Sequence, residues 1–210
     1  MSVAVIGPDG ALRCGWATSA PGFLEYHDTE WGFPVADDRR LFEKLCLEGF
    51  QAGLSWRTIL AKRENFRVAF RGFDFDQVAE FGDDDVARLL GDAGIIRHRG
   101  KIEAAINNAR RARELVAGNG SLAEFIWRYE PEPADRPPPQ IVSTSAESIA
   151  LSKELKRRGW RFVGPTTVYA FMQAMGLVND HAEGCVIRAA VNRRREAFQP
   201  PGSHRHAGTS

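Results

Sequence analysis

The chain has 210 residues, 43% hydrophobic and 26% charged, the balance of an ordinary globular protein with enough apolar matter for a sizeable core. A formal net charge of +1 excludes any argument for a polyanionic partner from bulk charge, so a basic surface must come from the local placement of Lys and Arg. No apolar run reaches the length of a membrane span, and three cysteines are few and odd in number for a disulfide framework, which points to the cytoplasm and to no membrane partner.

Residues 1–12 read as an N-terminal extension. The stretch CGWATSAPGFLEYHDTEWGFP reads as a long ordered loop carrying Cys14, Trp16, Tyr26, His27 and Trp31, and ordered loops of that length tend to be functional. Asp37 or Asp38 caps a helix through LFEKLCLEGFQ, in which Leu41, Leu45, Glu48 and Ala52 share one face. Glu48 therefore points inward, while Glu43 and Lys44 fall nearer the polar face. An isolated buried carboxylate costs several kcal/mol, so Glu48 is either paired with an arginine or kept for a function. Gly53 ends the helix, Ser55 caps the next one, and Trp56 emerges at that turn.

A helical pattern runs from Trp56 to Phe70, and another from Phe75 to Phe81. Asp83 caps a helix with Val86, Leu89 and Leu90 inward, which ends in the turn Gly91-Asp92-Ala93-Gly94. The next helix begins near Arg99 and buries Ile102, Ala105, Ile106, Ala109 and Ala112. Ser121 and Glu124 suggest a capping box, as do Thr144 and Glu147. Between them residues 130–141 hold five prolines and mark a surface connection or lobe boundary. Pro165 starts a helix with Val168, Phe171, Met172 and Met175 buried, and residues 193–210 read as a disordered tail with His204 and His206 solvated. The fold class is mainly α, two helical subdomains around a cleft, with the folded domain over 13–190.

Three groups of residues carry chemistry. Cys14 with His27, and His181 with Cys185, make a two-cysteine, two-histidine set of the kind that binds zinc tetrahedrally. The same spacing is met by a buried thiol and two surface histidines, and spacing does not choose between them. Any such metal is structural, because four protein ligands leave no position for an activated water. In LLGDAGIIRHRGKI a helix, a glycine turn and a second helix opening with Arg97, Arg99 and Lys101 resemble a helix-hairpin-helix. Backbone N–H groups near Gly94 and those basic side chains would hold a DNA phosphate without reading sequence, although an ordinary helical hairpin with a solvated basic face has the same pattern. Finally, Glu48 with Tyr26, Trp16, Trp31 and Trp56 suggests an aromatic pocket with one acidic group, suited to a flat cationic or hydrogen-bond-donating ligand.

The segments RCGW, YHDTEWG, LFEKLCLEGFQAGLSW, DAGIIRHRGKI, VGPTT and FMQAMGLVNDH, with Gly184-Cys185, together resemble the DNA-3-methyladenine glycosylase I family from about Arg13 to Cys185. The resemblance implies a helix-hairpin-helix-related fold that acts on alkylated double-stranded DNA and excises 3-methyladenine after flipping it into the pocket, and a monomer is expected, although the sequence leaves oligomeric state open. It implies structural zinc at Cys14, His27, His181 and Cys185. It also implies that Glu48, as the catalytic residue, and Tyr26 contact the base, that Trp56 stacks on it, and that Trp16 and Trp31 line or support the pocket. Phe23 stands where some relatives have a tyrosine, so no polar contact is expected there. The pocket segments show no evident Schiff-base lysine, which favours hydrolysis without strand cleavage.

Overall fold

A computed structural model describes residues 3–132 and 142–202. Most of the proline-rich connection, and His204 and His206, lie outside the described residues. The chain opens with β1 (Ala4–Ile6) and β2 (Leu12–Cys14), paired antiparallel with Ala4 opposite Cys14. Part of the expected extension is thus a hairpin, whose three-residue strands are too short to betray themselves by alternation. A short 3-10 helix, Gly15–Thr18, leads to α1 (Phe23–Thr29), so Tyr26 and His27 stand on a helix rather than in the expected loop.

The 14-residue α2 (Asp38–Gln51) is followed by α3 (Trp56–Ala61), α4 (Arg63–Ala69), α5 (Phe75–Ala79), α6 (Asp83–Gly91), α7 (Arg99–Asn119), α8 (Leu122–Trp127), α9 (Ala146–Arg157), α10 (Pro165–Ala174) and α11 (Val186–Ala197). It lies at the centre of the molecule, where α3, α7, α8 and α10 pack against it. The pattern read from Trp56 to Phe70 is two helices, broken at Lys62. Ser145 caps α9 in place of Thr144, and Gly82 precedes α6 in place of Asp83. Helix α11 continues to Ala197, and Phe198 packs on Trp127 at 4.5 Å between ring centroids, so ordered structure reaches well past residue 193.

The main apolar core is a continuous cluster from Val35 to Val178 that draws on helices across the chain, and a second, small cluster gathers Cys14, Ala182 and Cys185 where the two ends of the fold meet. Asp37 caps α2 by accepting from the Arg40 N–H at 2.8 Å. Its neighbour Asp38 reaches across the fold to accept from the N–H groups of Leu122 and Ala123, at 3.0 and 2.7 Å, and so caps α8. The other end of α2 is held by Lys101, whose Nζ donates to the carbonyls of Phe50 and Ala52 at 2.9 and 2.5 Å. Among the described residues no helix is long and apolar enough to cross a membrane.

Candidate active site

Helix α2 delivers Glu48 to the wall of a cavity of about 240 Å³, below the roughly 300–1,000 Å³ usual for drug-sized ligands and suited to a single flat ring system. The aromatic walls are Trp16, Phe23, Tyr26, Trp31 and Trp56, and the polar groups are Glu48, Lys44, Gln51 and Gln173. All five residues expected in the pocket are therefore brought together there. Tyr26 and Trp56 lie 5.4 Å apart and tilted, while Trp16 meets Trp31 edge-on at 5.1 Å. The indole N–H of Trp56 is buried without a hydrogen-bond partner, which makes it available to an acceptor on a ligand.

Lys44 is the residue that sequence reasoning misplaced. It is buried, and its Nζ lies 2.8 Å from Glu48 Oε1, donates to the Tyr26 hydroxyl at 2.8 Å and stands 3.4 Å over the Trp56 ring centre. Glu48 is thus paired with a lysine one helical turn away, not with an arginine. Glu43 is likewise buried and pairs with Arg67 at 2.8 Å. Burial pushes the Lys44 ammonium below the usual lysine range, and the Glu48 carboxylate opposes that shift. Burial, with Glu48 adding to it, pushes the Tyr26 phenol well above its ordinary value, so it stays a neutral donor or acceptor. No Schiff-base lysine was expected in the pocket segments; Lys44 does stand in the pocket, with its Nζ engaged by Glu48 and Tyr26.

Behind the aromatic wall, the ligand atoms of Cys14, His27 and Cys185 all lie within 4.8 Å of one another. The His181 ring stands 4.8 Å from His27, and its Nε2 is buried without a partner. Each histidine is held through its other nitrogen: His27 Nδ1 by Asp28 at 2.7 Å, and His181 Nδ1 by Asn179 at 2.8 Å. That leaves His27 Nε2 facing the Cys185 thiol at 3.6 Å and His181 Nε2 free beside the cluster, although His181 falls outside the group of three whose ligand atoms lie within 4.8 Å of one another. Asp28 is in turn gripped by Arg13, on β2, at 3.0 Å. Burial pushes His181 down to about 4, which keeps the imidazole neutral. The Cys185 thiol is pushed down to about 3, chiefly by the hydrogen bond from Cys14 and also by His27, while Cys14 moves up. Two cysteines and a histidine gathered together, with a second histidine beside them, are a donor set that fits a tetrahedral zinc. Gly32 makes room for the His181 ring, because a Cβ there would meet His181 Cε1 at 2.8 Å. Trp31, which lines the cavity, lies 4.6 Å from His181, so the cluster backs the pocket wall.

The hairpin between α6 and α7 is divided. Arg97 and Arg99 are exposed, Arg99 with a loose 3.3 Å contact to Glu103. Lys101 is buried and committed to α2, so it is not free for a phosphate. The Gly94 N–H is taken by Asp92 Oδ1 at 2.7 Å, and its carbonyl accepts from Lys62 and Asn65 at 3.3 Å. Of the four residues expected to meet DNA, only the two arginines present unburied charge to solvent.

A model of the family described as methyladenine glycosylase matches residues 16–189. The chain is similar to DNA-3-methyladenine glycosylase 1 of Escherichia coli (strain K12), 50% identical over 177 residues that cover 82% of this chain and 95% of that protein. It is 46% identical to the DNA-3-methyladenine glycosylase of Haemophilus influenzae, over 82% of this chain and 96% of that protein. Among solved structures it resembles a 3-methyladenine DNA glycosylase I from Staphylococcus aureus, described for its recognition of 3-methyladenine, with a TM-score of 0.78, 36% identity and coverage of 83% of this chain and 95% of that one.

Proposed function

The chain belongs to the methyladenine glycosylase family, and from that premise we propose how its pocket performs the excision. The reaction is hydrolysis of the N-glycosidic bond of 3-methyladenine in alkylated DNA, a step of base excision repair. The observation that carries the reading is the convergence of the Glu48 carboxylate, the Tyr26 hydroxyl and the Trp56 face on one cavity of base size.

Methylation at N3 makes the adenine cationic and weakens its bond to the sugar. The bonding pair departs with the base, which leaves neutral, and water adds its oxygen to C1′ as it loses a proton. No strong general acid is required, so the protein's contribution is to flip and recognise the base. Glu48 is the catalytic residue, accepting hydrogen bonds from the base and facing the developing positive charge on the sugar. Trp56 stacks on the base, with a cation–π gain of about 0.5–2 kcal/mol that a neutral adenine does not share. Tyr26 contacts the base edge, and Trp16 and Trp31 hold the wall. With the Lys44 amine engaged by Glu48 and Tyr26, the chemistry stops at hydrolysis and leaves the strand uncut. Zinc bound by Cys14, His27, His181 and Cys185 would be structural, tying the first strand pair to the segment before α11. The orphaned Nε2 of His181 and the fixed tautomers of both histidines support it. Duplex DNA would lie along Arg97 and Arg99, with the protein acting as a cytoplasmic monomer.

Release of free 3-methyladenine from methylated DNA tests the activity, with Glu48→Gln beside the wild type. Loss of a charge-assisted hydrogen bond worth about 1.5–3 kcal/mol predicts a fall in excision of at least about tenfold while weak DNA binding survives. Equal loss of excision and binding in a folded variant would favour a zinc-stapled lesion-binding module without chemistry.

A further inference from the structure

The wall of the cavity assigned above to the base carries a cation of the protein. The Lys44 ammonium lies 3.4 Å over the Trp56 ring, 2.8 Å from Glu48 and 2.8 Å from the Tyr26 hydroxyl. These are the face, the carboxylate and the hydroxyl that the base is to use. A stacked base and the ammonium cannot both be in contact with the same ring face, so one excludes the other. We propose that Lys44 competes with the base for the pocket, standing against Trp56, Glu48 and Tyr26 until an alkylated base displaces it and returning when the base leaves, and so sets the threshold for occupancy. This rests on the reading that the pocket takes 3-methyladenine from DNA.

The energetics follow from charge balance. A cationic base replaces what the ammonium supplied, a positive charge against Glu48 and a cation over Trp56, so the exchange is nearly even. A neutral adenine displaces a cation and leaves the buried Glu48 carboxylate without a counter-charge, which is unfavourable. The ammonium must leave in both cases, so the penalty it imposes is common to all ligands. Glu48 discriminates between bases; Lys44 sets the threshold that a base must exceed. The same logic governs release. Once the C1′–N9 bond breaks and its electron pair stays with the base, the pocket holds a neutral ligand beside a carboxylate, and the ammonium is then the better occupant. The four-carbon stem of a lysine allows this exchange by side-chain rotation alone.

The test is Lys44→Met, which keeps the length of the stem and removes the charge. Affinity for free 3-methyladenine, read by quenching of tryptophan fluorescence, should tighten by about tenfold or more, the scale of a charge-assisted hydrogen bond no longer competing. Product inhibition of excision should set in at a correspondingly lower concentration of free base. Unchanged or weaker binding would overturn the proposal, since the ammonium would then be a bystander or a ligand of the base. Because Lys44→Met leaves Glu48 unpaired, Lys44→Arg is measured in parallel. It retains the charge and should bind the free base no more tightly than the wild type, and tightening equal to that of Lys44→Met would overturn the charge argument. Failure of the wild type to release 3-methyladenine from methylated DNA would remove the base assignment itself. Release by the wild type with no tightening in Lys44→Met would remove only the role of Lys44.

Discussion

Glu48 and Lys44 stand four residues apart on α2, and each makes the burial of the other tolerable. Their exposures, 6% and 7%, leave little water to solvate either charge alone. Breaking such a pair from one side leaves an uncompensated buried charge and typically costs about 3–5 kcal/mol, whereas removing both partners is often nearly neutral. Glu48→Gln should therefore lower the melting temperature, and adding Lys44→Met to it should recover most of the loss, with both read by thermal unfolding. Additive losses in the double variant would mean that the two charges are not coupled. Periodicity alone placed Glu48 inward. The same periodicity places residue 44 one turn before it on the same face, yet the habit of assigning lysines to solvent hid the ion pair. That habit fails because a long apolar stem can lie along the core with its charge against a buried partner.

At the scale of elements, the hairpin between α6 and α7 was legible as a unit, but the direction of its side chains was not. Arg97, Arg99 and Lys101 look alike in sequence, and the structure separates them by helical position, since Lys101 falls on the face towards α2. Exchanging Arg97 and Arg99 together for Ala should weaken DNA binding and reduce the slope of log affinity against log salt by up to about two units. Lys101→Met should leave that slope unchanged and lower stability instead, because the Phe50 and Ala52 carbonyls lose their donor. A reduced slope for Lys101→Met would put the DNA against α2. The starts of α8 and α10 followed from Ser121 and Pro165, whereas the N-terminal hairpin was invisible because each strand is three residues long.

Across the whole molecule, the Cys and His set draws together residues that begin on β2 and α1 and end just before α11. Spacing could nominate such a set but not assemble it, since the four side chains meet only when the core has brought the two ends of the chain together. The tautomer of His27 is fixed by Asp28, which is fixed by Arg13 from the strand beside it. Removing an outer partner of this kind usually lowers metal affinity by about 10- to 100-fold. Asp28→Ala should accordingly release zinc to a chelator at concentrations that leave the wild type loaded, and equal retention by both would exclude Asp28 from the support of the site.

Helix α2 is anchored at both ends by side chains from distant parts of the chain, Asp38 binding the start of α8 and Lys101 the last carbonyls before Gly53. A beam clamped at both ends resists sliding and rotation but passes load along its length. The first turn of α7 carries Arg99 on its outer side and Lys101 on its inner side, so a force applied to the exposed face of α7 reaches the carbonyl end of α2, beside the turn that joins it to Trp56. Such a load is borne by the frame of the pocket rather than by the side chains that line it.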